Sequence, residues 1–169
     1  NCATCHGAGG RGAKGYPSLA DDVWLWDGTL DGIELTLRHG IRQVNNDETR
    51  FSMMPSFGRD QLLTSAQIDD LTEYVLNFSG QSNDKEAWAR AAPMFEMQCA
   101  SCHGVKGTGD RQQGAPNLTD AELLFSGSRR DVYNTIYNAR NSHMPAWEGR
   151  FSDAEIKALS VYVHSLGGG

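Results

Sequence analysis

Cys2-Ala3-Thr4-Cys5-His6 and Cys99-Ala100-Ser101-Cys102-His103 are two copies of one pattern, and together they use all four cysteines of the chain. Two thiols one helical turn apart can bond the two vinyl groups of a haem, and a histidine beside the second thiol is placed to ligate the iron. A disulfide framework spreads its cysteines through a small, loop-rich chain. A zinc site built from two Cys-x-x-Cys pairs usually spaces them roughly 15–20 residues apart. Here more than ninety residues intervene, and each pair has its own histidine. The pattern therefore reads as two covalently attached haem c groups, with zinc the weaker alternative.

Composition agrees with a dihaem cytochrome. The 169 residues are 39% hydrophobic and include 19 glycines, as expected where haem supplies much of the apolar interior. No stretch approaches the roughly 20 apolar residues of a membrane span, and no secretory signal pattern opens the chain. The densest apolar run, Leu71 to Phe78, is short and broken by polar residues. A formal charge of −6 disfavours nucleic acid and suits docking to a basic protein.

The chain also reads as an internal duplication. The first copy continues with Gly15-Tyr16-Pro17, a Trp-bearing segment Asp22 to Asp27, a helix Leu30 to His39, Met54-Pro55 and a helix Ser65 to Phe78. The second continues with Gly114-Ala115-Pro116, Glu122 to Phe125, a helix Arg130 to Ala139, Met144-Pro145 and a helix Asp153 to Leu166. Both final helices open on a capping box, Thr64-x-x-Gln67 and Ser152-x-x-Glu155. Apolar residues then recur at helical spacing, as Ile68, Leu71, Val75 and as Ile156, Leu159, Val163. Gly80 and Gly167 are expected to stop these helices. The polar stretch Gly80 to Lys85 is the expected boundary between two tandem class I cytochrome c domains, 1–80 and 81–169, in an all-α fold.

A helix, Glu86 to Gln98, precedes the second motif, with Pro93 expected in its first turn. Only Asn1 precedes the first motif, so the first domain is expected to lack its N-terminal helix. That helix would cover Leu71 and Val75, and the chain reads as a fragment of a longer protein whose upstream segment leaves room for a membrane anchor.

Methionine before proline is the favoured sixth ligand, because a neutral thioether stabilises reduced iron and raises its potential. The expected axial pairs are His6 with Met54 and His103 with Met144. Met53 adjoins Met54, but only Met54 precedes a proline and aligns with Met144. Met94 and Met97 read as core. His39, His143 and His164 are competing ligands, and each reads better as a solvated or hydrogen-bonded side chain. A backbone carbonyl at Pro17 and at Pro116 is placed to accept the Nδ1–H of an axial histidine. Arg42, Arg50, Arg59, Arg140 and Arg150 are candidate partners for haem propionates, and a solvated face is at least as good a reading for any one of them.

The run Asn1-Cys-Ala-Thr-Cys-His-Gly7, the segment Tyr16-Pro-Ser-Leu-Ala-Asp-Asp-Val-Trp-Leu-Trp26 and Met53-Met-Pro-Ser-Phe57 resemble the dihaem subunit III, CcoP or FixP, of cbb3-type cytochrome c oxidases. Gly114-Ala-Pro-Asn-Leu118 and His143-Met-Pro-Ala-Trp147 are similar to its second haem domain. The resemblance covers essentially the whole chain, and Asp21 to Trp26 is its most specific part. It implies axial ligands at His6, Met54, His103 and Met144, and a transmembrane anchor ahead of the first domain on the periplasmic side of the bacterial inner membrane. It also implies electron transfer from a donor cytochrome c towards the monohaem subunit. Oxygen reduction and proton pumping belong to the haem–copper subunit, a different chain, so no catalysis is expected here. The alternatives are a freestanding dihaem carrier, the cytochrome subunit of a periplasmic dehydrogenase, and a dihaem peroxidase with one open distal position.

Overall fold

A computed structural model describes residues 1–82, 84–120 and 123–167. Asn83, within the expected boundary stretch, and Glu122, the first residue of the expected segment to Phe125, lie outside the described residues. The helices are α1 (Ala3–His6), α2 (Leu30–His39), α3 (Ser65–Phe78), α4 (Lys85–Gln98), α5 (Ala100–His103), α6 (Arg129–Asn138) and α7 (Asp153–Gly167), with a 3₁₀ turn at Ala8–Gly10. Among the described residues β structure is limited to isolated bridges, so the fold is all-α.

Local chemistry explains where the helices begin and end. Thr64 Oγ1 accepts the Gln67 N–H while the Gln67 side chain accepts the Thr64 N–H, and Ser152 and Glu155 do the same ahead of α7. Thr29, Asp84 and Ser128 cap α2, α4 and α6 by accepting N–H groups of the first turn. At the end of α3, Gly80 takes φ +72°. The Gly80 N–H then reaches Asn77 O at 3.0 Å and the Gln81 N–H reaches Leu76 O at 2.9 Å, which satisfies two terminal carbonyls. Gly167 does not stop α7 in this way; it is the last described residue of the helix, buried against the backbone of Leu19 and Asp21.

Pro93 sits deep inside α4 rather than in its first turn. A proline there removes one helical hydrogen bond, at a cost of about 3 kcal/mol. The helix persists because its buried side, Ala87, Ala91 and Phe95, packs against α3, while Pro93 itself faces solvent. Met94 packs on that core, but Met97 is 72% exposed, since it lies two residues beyond Phe95 on the opposite side of the helix.

The described residues divide into two compact units that interleave the halves of the sequence. Unit 1 holds Asn1–Ser52, Arg111–Gly114 and the chain from Ser142; unit 2 holds Met53–Asp110 and Ala115–Asn141. The boundary near residue 80 therefore marks the sequence repeat, whereas the packing follows a different division.

Unit 2 packs α3 against α4 and α6. Ile68, Leu71, Val75, Ala91, Phe95, Val132 and Ile136 form its core. The rings of Tyr74 and Phe95 lie 4.8 Å apart. Leu71 and Val75 are thus already covered by α4, not left open for a helix upstream of Asn1. The α4 helix follows α3 after a short turn and offers a matching apolar stripe. Arg90 forks onto Asp70 at 2.8 and 2.9 Å, holding the Asp70 carboxyl below its ordinary range, and Arg129 reaches Glu73 and Asp69. Unit 1 packs α2 against α7 around Ile33, Leu37 and Ile156, joined by Trp24, Met144, Trp147, Phe151, Leu159 and Val163. Arg38 of α2 pairs there with Glu34, Glu148 and Asp153.

Phe95→Ala should lower the unfolding free energy by about 3–5 kcal/mol, the usual cost of emptying a buried phenylalanine site. Met97→Ala on the same helix should change it by less than about 0.5 kcal/mol. Denaturant titration of the haem-loaded protein, followed by helical circular dichroism, measures both.

Candidate functional site

Each haem motif is a single helical turn. In the first, the His6 N–H donates to Cys2 O at 2.9 Å; in the second, the His103 N–H donates to Cys99 O at 2.9 Å. The turn brings the two thiols of each motif to one side and leaves all four partly exposed. Burial, reinforced by the neighbouring Cys102, pushes the Cys99 thiol up to about 11.

The same closure follows both motifs. The Gly12 N–H caps His6 O at 2.7 Å and the Gly109 N–H caps His103 O at 2.8 Å. The chain then returns so that His6 Nδ1–H donates to Pro17 O at 2.9 Å and His103 Nδ1–H to Pro116 O at 3.1 Å. With Nδ1 engaged, Nε2 is the nitrogen left to ligate, and the ring cannot swivel freely. Burial pushes the His103 imidazole towards its neutral, ligating form, more strongly than the Pro116 carbonyl favours the charged one.

A cavity of about 510 Å³ lies beside the first motif, lined by Asn1, Cys2, Phe151, Glu155, Ala158 and Leu159. Paired thiols, an oriented imidazole and an apolar space beside them suit a covalently held haem. Among the described residues no group of three or more His, Cys, Asp and Glu side chains is placed to hold a metal ion without one, as a protein-only zinc site requires.

Met54 and Met144 are both partly buried against apolar cores, whereas Met53 is 56% exposed. The units do not bring together the pairs expected from sequence proximity. His6 shares unit 1 with Met144, and His103 shares unit 2 with Met54. The reason is the docking of each methionine segment onto a helix of the other sequence half. Ile41 and Met144 exchange backbone hydrogen bonds of 2.9 and 3.1 Å beyond the end of α2, and the Trp147 N–H donates to Leu37 O at 2.9 Å. Gly40 makes this approach possible, since at φ +70° a Cβ there would strike the Met144 carbonyl oxygen. In unit 2 the Asn141 side chain clamps the Met54 backbone, accepting from its N–H and donating to its carbonyl, both at 3.0 Å.

Two of the competing histidines, His39 and His143, have polar partners elsewhere. His143 Nε2–H donates to Gln43 Oε1 at 3.1 Å. His39 is buried beside Glu48 and Glu148, and His164 lies half-buried on α7. Arg42 donates to Ser142 O and Ser52 O, and Arg50 to Thr36 Oγ1 and Gly32 O beneath the Trp26 ring. Burial lowers the pKa of both, and among the described residues neither makes a salt bridge. Of the other three, Arg59 meets Asp60, Arg140 meets Asp131, and Arg150 lies over Trp147.

Asn141 and Gln43, whose Oε1 also accepts the Ala146 N–H, position the methionine segments and were not singled out in the sequence. No local pattern marks them, because Asn141 acts on a residue 87 positions away and Gln43 on residues 100 and 103 away.

A family model described as cytochrome c matches residues 1–79, and one described as cytochrome C oxidase, cbb3-type, subunit III matches residues 86–163. Among curated proteins, the chain is 51% identical over 169 residues to the cbb3-type cytochrome c oxidase subunit CcoP of Cereibacter sphaeroides, covering all of this chain and 58% of that protein. It is 48% identical over 170 residues to the subunit FixP of Azorhizobium caulinodans, covering all of this chain and 57% of that protein. To CcoP of an Azospirillum species it is 47% identical over 176 residues, covering 60% of that protein. The chain thus spans rather less than two thirds of the length of these relatives.

Met54→Leu should remove about half of the far-red sulfur-to-iron absorption of the ferric dihaem protein and lower one midpoint potential. Met53→Leu, at an exposed position, should do neither. Optical redox titration of the two variants distinguishes them, and the reverse result would transfer the ligand role to Met53.

Proposed function

The chain belongs to the CcoP/FixP family, the dihaem subunit III of cbb3-type cytochrome c oxidases, and on that premise we propose that it receives electrons from a donor cytochrome c and passes them to the monohaem and haem–copper subunits of such an oxidase. The observation that carries this reading is the repeated motif geometry, in which His6 and His103 are held alike by Pro17 and Pro116 carbonyls. A haem c at each motif supplies one-electron chemistry at iron. The protein supplies the anchoring thiols Cys2, Cys5, Cys99 and Cys102 and the axial ligands His6, His103, Met54 and Met144. The Pro17 and Pro116 carbonyls set ring orientation and ligand basicity. Arg42 and Arg50, half-buried cations that among the described residues make no salt bridge, although the Asp27 carboxylate acts on Arg50, fit the propionates of the group in unit 1.

Six-coordinate iron needs no acid–base machinery, since outer-sphere transfer makes and breaks no bonds to the protein. We place the protein on the periplasmic side of the bacterial inner membrane, held there by a segment outside this chain. No helix among the described residues is long and apolar enough to cross a membrane.

The formal charge of −6 favours a basic donor. The association rate with a basic cytochrome c should then fall as salt is added, because exposed charges are screened beyond about 10 Å at 0.1 M. Stopped-flow reduction across ionic strengths measures it; a rate indifferent to salt contradicts electrostatic docking. Failure of the reduced protein to be reoxidised by a cbb3-type oxidase lacking its own subunit III would contradict the assigned role.

A further inference from the structure

One guanidinium group reaches both methionine segments. Arg42 Nε–H donates to Ser142 O and an Nη1–H donates to Ser52 O, each at 2.6 Å. Each carbonyl lies two residues ahead of a methionine, Ser52 ahead of Met54 and Ser142 ahead of Met144. Arg42, Ser52 and Ser142 all belong to unit 1. The fork takes two of the five N–H donors of the side chain, so it is compatible with a propionate at Nη2.

The backbone around Arg42 is set for this reach. The residue adopts φ +53°, a conformation that residues other than glycine rarely take. Its N–H is fixed on Arg50 O at 2.8 Å, and its neighbour Ile41 exchanges both backbone hydrogen bonds with Met144. The hold on Ser142 bears on Met54 as well. The residue before it, Asn141, accepts from the Met54 N–H and donates to the Met54 carbonyl. Fixing Ser142 therefore restrains the backbone from which that clamp is built. Neutralising a propionate asks only for a positive charge nearby. Meeting carbonyls 10 and 100 positions away along the chain asks for the planar fork of arginine.

We propose that Arg42 is a positioning residue shared by both sixth ligands, Met54 and Met144. This rests on the reading of the two methionines as ligands and adds that one side chain governs how firmly each is held. It acts on Met144 through Ser142, and on Met54 through Ser52 and Asn141. Lysine at this position keeps the charge and loses the fork.

The test is Arg42→Lys in the full haem-loaded chain, followed through the far-red sulfur-to-iron band of the ferric protein as pH is raised. The pH at which the band is half lost should fall by about one unit for both haems, because losing a charge-assisted hydrogen bond weakens the hold on each methionine roughly tenfold. Helical circular dichroism over the same range should stay constant. A band that persists as in the unsubstituted protein would overturn the proposal and leave Arg42 a charge beside a propionate. A shift confined to one haem, or loss of helix in step with the band, would overturn it too. An unsubstituted protein that lacks the band would overturn methionine ligation, and the proposal with it.

Should Arg42→Lys not fold, the unsubstituted protein labelled with nitrogen-15 arginine provides the second measurement. The Arg42 Nε–H should exchange slowly with solvent, and roughly tenfold faster once excess imidazole has displaced both methionines. Fast exchange at the outset, or exchange indifferent to imidazole, would overturn the proposal.

Discussion

The last carbonyls of a helix have no partner within it, and something from outside must meet them. In this protein the carbonyls at the ends of α2 and α6 are met by the backbone just after Met144 and just after Met54. That requirement fixes where each methionine stands, which final helix comes with it, and so which residues surround each haem motif. The remaining contacts follow from it. Arg38 can bind both Glu148 and Asp153 only because the segment between them is docked on α2, and Ser56 Oγ–H reaches Asn138 O only because Met54 is held at α6.

The electrostatics of the motifs serve ligation and tuning. The Pro17 and Pro116 carbonyls engage Nδ1 of His6 and His103, which restrains each ring and leaves Nε2 available for the proposed ligation. Half-burying a guanidinium group costs free energy unless polar groups meet it. Arg42 hydrogen-bonds the Ser142 and Ser52 carbonyls, and Arg50 the Thr36 hydroxyl and the Gly32 carbonyl. Trp26, the last residue of the Asp21–Trp26 segment, is buried under Arg50. The segment that marks the family in the sequence is therefore part of the wall that positions that cation.

Much of the local structure was legible because its causes are local. The bounds of α3 follow from the Thr64–Gln67 capping box and from Gly80 beyond its end. Pro93 lies beyond the first turn expected from the sequence because proline penalises a helix only locally, and the packing of Ala91 and Phe95 on α3 outweighs that penalty. Met97 has the apolar character of a core residue, and only the helical phase set by Ala87, Ala91 and Phe95 turns it to solvent. Asn141 and Gln43 carried no local signal, since each binds backbone far away in sequence.

The sequence by itself determined the chemistry: two thiol pairs each one turn long, a histidine beside each, a proline carbonyl a short loop away, and two Met-Pro pairs. These depend on spacings of a few residues, which a chain cannot satisfy in many ways. Only the tertiary structure decided which half of the chain closes which site. Internal duplication places α2 and α6, and α3 and α7, at corresponding positions of the two repeats, and each methionine segment docks on the helix of the other repeat. The choice lies in particular long-range contacts, among them Gly40 against Met144, Asn141 around Met54, and Phe95 against the α3 face. No pattern of neighbouring residues encodes a preference between two nearly equivalent surfaces.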